Sequence, residues 1–138
     1  MTSISESITG EQLADSLLQG VGAEPMRAAT TLLGRHRGGF WLRRFLDQEQ
    51  ELTTAADKPV IDRRGTHPSV DWDAIGLLML SRPLAFGGSS SELAVLEVAA
   101  SLVNRCGVQL GQVIRAVDDS EFRLVLRAMQ EAAYGDRS

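Results

Sequence analysis

Arg35, His36 and Arg37, followed after a Gly38-Gly39 break by Phe40, Trp41, Arg43 and Arg44, are the densest gathering of chemically capable side chains in the sequence. Guanidinium groups beside aromatic rings suit phosphates and stacked bases. Tryptophan and arginine are also the residue types that anchor protein–protein interfaces. A packing reading competes with both and has more in its favour. Trp41 with Phe45, and Leu42 with Leu46, are i,i+4 pairs that share one helix face. Large aromatics are usually buried, which would leave Arg35, Arg37, Arg43 and Arg44 as a solvated surface around a core Trp41.

Three further patterns bear on function. Gly87, Gly88, Ser89 and Ser90, running into a helix with Arg82 nearby, could offer backbone N–H groups and hydroxyls to an anion. The run lacks the lysine of a phosphate-binding G-x-x-x-x-G-K-[ST] loop, and a flexible turn followed by a helix cap explains the same residues better. From Leu110 to Tyr134 a short helix, a tight turn and a longer helix with Arg123, Arg127 and Gln130 have the order of a helix-turn-helix. Asp118, Asp119 and Glu121 would then stand where phosphates must approach, so a packed helical hairpin is the better reading.

Catalytic chemistry has less to stand on. His36 and His67 have no carboxylate or cysteine at ligand spacing, so no metal site and no cofactor are expected. Cys106 reads as an inert small hydrophobe at a helix end. Asp71 with Asp73 and Asp118 with Asp119 read as helix starts rather than acid/base pairs. Glu97 belongs to a polar strip and should face water, although burial would make it a perturbed carboxyl. No catalytic residues are assigned, and the chain is read as non-enzymatic.

The element that must position these groups is the stretch Ser89 to Asn104. Leu93, Ala94, Val95, Leu96, Val98, Ala99, Ala100, Leu102 and Val103 surround almost its whole circumference, leaving only Ser90, Glu97, Ser101 and Asn104 as a polar strip. It reads as a central buried helix, opened by a Ser89/Glu92 capping box and closed by Gly107, with Arg105 in the last turn. Around it the spacing predicts helices from Thr9 to the Gly20/Gly22 stop, from Pro25 to Gly34, and over FWLRRFLDQ at 40–48. Further helices are expected at 71–81 behind an Asp71 cap, at 110–117, and from an Asp118/Glu121 start to Gly135. Residues 1–8 read as frayed. Residues 50–70 show no periodicity and are expected to be a long loop with a short strand at Val60-Ile61.

Composition sets the outer limits. A chain of 138 residues is one domain with room for an unstapled core. One cysteine, no leader-like opening and no apolar run near the ~20 residues of a membrane span point to the cytoplasm. The net charge of −4 gives no general attraction to nucleic acid or to an anionic membrane.

VDWDAI at 70–75, SELAVLEVAASL at 91–102, VDDSEFRLVLRAM at 117–129 and WLRRF at 41–45 resemble segments of small uncharacterised actinobacterial proteins. The resemblance implies a bacterial cytoplasmic protein with a helical C-terminal half, and brings no activity with it. The expected fold is an all-α bundle of five to seven helices. The expected function is an adaptor or regulatory role through protein contacts or self-association. Nucleic-acid binding through the 35–44 cluster or the C-terminal helices is the alternative, and a small anionic ligand at Gly87–Ser91 the second alternative.

Overall fold

A computed structural model describes residues 8–135, within which the chain forms eight α-helices, two 3₁₀ turns and one small hairpin. The expected frayed segment 1–8 falls, except for Ile8, outside the described residues, as does the tail at 136–138. The all-α expectation holds.

Side-chain caps fix where the helices begin. In α1 (Gly10–Ser16) the Thr9 hydroxyl accepts from the Gln12 N–H at 3.1 Å and the Gln12 carboxamide accepts from the Thr9 N–H at 2.9 Å. Ser89 with Glu92 closes the same reciprocal pair on α6 (Ser90–Val103), and Asp118 with Glu121 on α8 (Asp119–Tyr134). Asp71 caps α5 (Trp72–Ser81) by accepting from the Ala74 N–H at 3.0 Å, and Pro25 occupies the first turn of α2 (Glu24–Arg35).

Two helices share the centre. As expected, α6 has α5 and α8 against it, and it also packs on α2 and on α7 (Leu110–Ala116). Helix α2 in turn touches α1, α8 and α3 (Phe40–Asp47). Small residues give α2 this place: Ala28, Ala29, Thr30 and Gly34 are buried with Leu32 and Leu33, so neighbouring backbones come close. At Gly10 a Cβ would stand 2.2 Å from the Gly34 carbonyl oxygen. Trp41, Phe45 and Phe86 form a buried aromatic cluster, with Trp41 and Phe86 meeting edge to face at 5.9 Å.

The structure departs from the sequence reading in its helix boundaries and in the 50–70 stretch. An eighth helix, α4 (Glu49–Ala56), occupies the start of the supposed loop. It carries a single buried residue, Leu52, and two β-branched threonines, so its sequence shows no apolar stripe. The rest forms an antiparallel hairpin of β1 (Ile61–Asp62) and β2 (Ser69–Val70), one residue later than the expected strand.

Helix α6 ends at Asn104 rather than at Gly107, and Arg105 lies beyond it. Asn104 replaces the glycine stop with tertiary bonds: its Nδ2 donates to the Trp72 carbonyl and its Oδ1 accepts from the Cys106 N–H, both at 3.0 Å. Helix α1 stops at Ser16, where the Arg27 guanidinium gathers the Leu18 and Val21 carbonyls at 3.3 and 2.7 Å. Helix α2 runs one residue past Gly34.

Candidate functional site

The turn after α2 brings most of the arginine cluster to one place. Arg37, Gly38 and Gly39 all take left-handed backbone, with φ of 47°, 65° and 81°. The two glycines adopt this at little cost, whereas at Arg37 it is held by the contacts of the side chain. The turn sends His36 inward and Arg37 across the N-termini of α6 and α8. His36 is buried, with Nε2 2.7 Å from Oε2 of Glu121, itself buried. The other Glu121 oxygen accepts from the Asp118 N–H at 3.0 Å. Arg37 donates to the Glu92 carboxylate at 3.0 Å and to the Ser91 hydroxyl at 3.2 Å, and stands 3.4 Å from Glu121. The same guanidinium therefore joins the capping carboxylates of two helices.

The other members of the cluster are equally engaged. Arg35 donates to Glu131 of α8 at 3.1 Å. Arg43 donates to the Gly38 carbonyl at 2.8 Å and to the Ile8 carbonyl. Arg44 donates to the Phe86 carbonyl at 2.6 Å and lies 5.0 Å over the Phe40 ring. Trp41 is fully buried and its indole N–H reaches the Glu92 carbonyl at 2.8 Å. Burial pushes the Glu92 carboxyl up, yet the Ser89 N–H and the Arg37 guanidinium together hold it below its ordinary value. Asp118 is lowered by the Glu121 N–H and the Ser120 hydroxyl. His36 Nδ1 is the one buried side-chain nitrogen or oxygen among the described residues without a hydrogen-bond partner.

At the proposed anion site, Gly87 and Gly88 have φ of 69° and 87°, and a Cβ on Gly88 would meet the Trp41 ring at 3.0 Å. The Ser89 hydroxyl accepts from the Glu92 N–H at 3.3 Å while the Ser89 N–H donates to the Glu92 carboxylate at 2.8 Å. A carboxylate thus already occupies the start of α6, and Ser90 is exposed beside it. Arg82 stands at the C-terminus of α5, exposed and with its guanidinium unpartnered among the described residues.

Sequence reasoning did not find a second region, made by α5 and α7 where they meet α6. Leu77, Leu80 and Leu84 of α5 and the 3₁₀ turn Pro83–Phe86 are exposed, as are Leu110 and Ile114 of α7. Between the end of α5, α6 and the approach to α7 lies a cavity of about 230 Å³, with Leu80 and Met79 on one side and Val108, Gln109 and Gln112 on the other. Glu97 lines it, half-buried, and burial alone raises its carboxyl above the ordinary 4.5. Burial likewise pushes up the Cys106 thiol in the same cavity. The polar strip of α6 is thus partly covered rather than open to water. The one available signal was an i, i+3, i+4 pattern on α5 and α7 with more leucine than one buried face uses.

A third depression, along the hairpin, has its charges matched locally: Arg63 with Glu49 at 2.8 Å, Arg64 with Asp62 at 2.9 Å and Lys58 with Asp71 at 3.5 Å. Hydrogen bonding from Arg64 brings Asp62 down to about 2. Among the described residues no group of three or more His, Cys, Asp or Glu side chains could hold a metal ion, and no helix is long and apolar enough to cross a membrane. No protein-family profile, curated protein or solved structure matches the chain.

Proposed function

We propose that this chain is a non-enzymatic adaptor or regulatory module of the cytoplasm that binds a protein through the face made by α5, the Pro83–Phe86 turn and α7. The observation that carries this reading is the exposure of long aliphatic side chains there: Leu84 is 91% and Leu80 74% exposed, and Leu77 of α5 and Leu110 and Ile114 of α7 are exposed as well. Scattered surface leucines are ordinary, whereas several on two elements that both line one cavity, α5 through Leu80 and α7 through Gln112, mark a place where apolar surface is removed from water on binding. The arginines at 35–44 support this reading less than expected, because their hydrogen-bonding groups hold the fold together.

Capture of partners by tagged protein, with and without nuclease, tests the proposal when Leu84→Asp and Leu110→Asp are run beside the natural sequence. A partner retained after nuclease and lost from both variants is the expected result. Partners that survive both substitutions, or that vanish with nuclease alone, would overturn it, the second outcome in favour of nucleic acid.

A further inference from the structure

We infer that the occupant of this face is a second copy of the chain, held by Arg82 of each copy entering the Glu97 cavity of the other. The inference rests on the interaction face proposed above and names its partner. The Glu97 carboxylate has no hydrogen-bond or ion-pair partner among the described residues and is the sole charged group lining a cavity whose other walls are apolar at Met79, Leu80, Ala100 and Val108 and neutral polar at Gln109 and Gln112. A carboxylate partly withdrawn from water without a partner is disfavoured in its charged form, and a cation delivered to it offsets that penalty.

The same face carries a cation suited to the task. Of the described arginines, Arg82, Arg105 and Arg115 have guanidinium groups without a hydrogen-bond or ion-pair partner among the described residues. Arg82 alone is flanked by two strongly exposed leucines, Leu80 and Leu84, so its insertion would bury apolar surface along with the charge. Pro83 restrains the backbone at that point, which lowers the cost of ordering the segment.

Arg82 follows the last turn of α5 while Leu80, two residues earlier, lines the Glu97 cavity. Donor and receptor therefore belong to one patch. A two-fold axis through such a patch makes the contact self-complementary, since the Arg82–Glu97 pair formed in one direction is repeated in the other. No second type of protein is needed to satisfy either group.

Sedimentation equilibrium of the full chain, up to about 1 mM, tests this with Arg82→Glu, Glu97→Arg and the two combined. The natural chain should form a dimer, each single substitution should weaken it about tenfold or more, and the double reversal should restore it, because the pair is only exchanged between copies. Glu97→Gln, which keeps shape and removes charge, serves if Glu97→Arg lowers the melting temperature, and should weaken the dimer too. A natural chain that stays monomeric overturns the inference, while the interaction face itself is still judged by the leucine variants. A dimer dissociated by Leu84→Asp but untouched by the charge changes overturns the Arg82–Glu97 contact and retains the face. A dimer unaffected by Leu84→Asp overturns both.

Discussion

The junction of α2, α6 and α8 and the face of α5 and α7 use the same residue types to opposite ends. At the junction Arg35 and Arg37 both reach across to other elements, and the capping carboxylates of two helices share the Arg37 guanidinium. On the other face the Arg82 and Glu97 side chains are unpartnered among the described residues and leucines stand in solvent. Charge that is matched within the chain stabilises the fold and is withdrawn from recognition. Charge left unmatched beside exposed apolar surface contributes little to folding and remains available to a partner. The distinction follows from the partners of each side chain, not from its type.

Substitution should therefore be costly at the junction and nearly silent on the face. Trp41→Ala removes a fully buried ring and its bond to the Glu92 carbonyl, and should cost about 3–5 kcal/mol in denaturant unfolding. An unchanged melting temperature would refute the burial described for Trp41. Glu121→Ala leaves buried His36 with neither ring nitrogen paired and also opens the α8 capping box, so a loss of about 3 kcal/mol is expected. Replacing both partners, as His36→Leu with Glu121→Leu, should recover part of that loss, because no polar group is then left buried alone. Recovery of nothing would mean that the α8 cap, not the His36 pair, accounts for the cost. Arg37→Ala should cost only about 1 kcal/mol, since its guanidinium is substantially exposed to solvent.

Much of this junction was legible piece by piece, and its assembly was not. The Thr9, Ser89 and Asp118 capping boxes and the Asp71 cap follow from local spacing, because the bond each makes spans three residues. Glu121 could be read as a cap for the same reason. That its second oxygen meets His36, 85 positions away in sequence, has no local signature. Helix α4 escaped because Leu52 is its only buried residue, so tertiary packing rather than periodicity decides its state. The end of α6 escaped because Asn104 satisfies its environment through α5, an element that spacing within α6 says nothing about. The α5–α7 face was missed for a related reason: periodicity places a leucine on a helix face but does not say whether another element covers it.

On the face itself, Leu84→Asp should leave unfolding within about 0.5 kcal/mol of the natural chain while abolishing partner capture. A melting loss comparable to that of Trp41→Ala would show that Leu84 is packed and that the contrast between the regions is false.

The smallest effect separates the regions by sign. Glu97 is raised by burial, so the folded chain keeps its proton to higher pH than the unfolded chain does, and stability falls as pH climbs from the ordinary 4.5 through the raised folded value. Glu92 is lowered, so its contribution is present above 4.5 and is lost as pH falls through the lowered folded value. Melting measured from about pH 2 to about pH 8 should then show Glu97→Gln gaining on the natural chain as pH rises above 4.5 and Glu92→Gln losing to it as pH rises toward 4.5. The first of these must depend on concentration if Arg82 of a second copy enters the cavity, because a guanidinium beside Glu97 favours the ionised carboxylate. In dilute protein Glu97→Gln should stabilise at neutral pH. At dimer-forming concentration the same substitution should destabilise, since it deletes one side of an ion pair. A gain of equal size at both concentrations would mean that Glu97 meets no cation in the associated state.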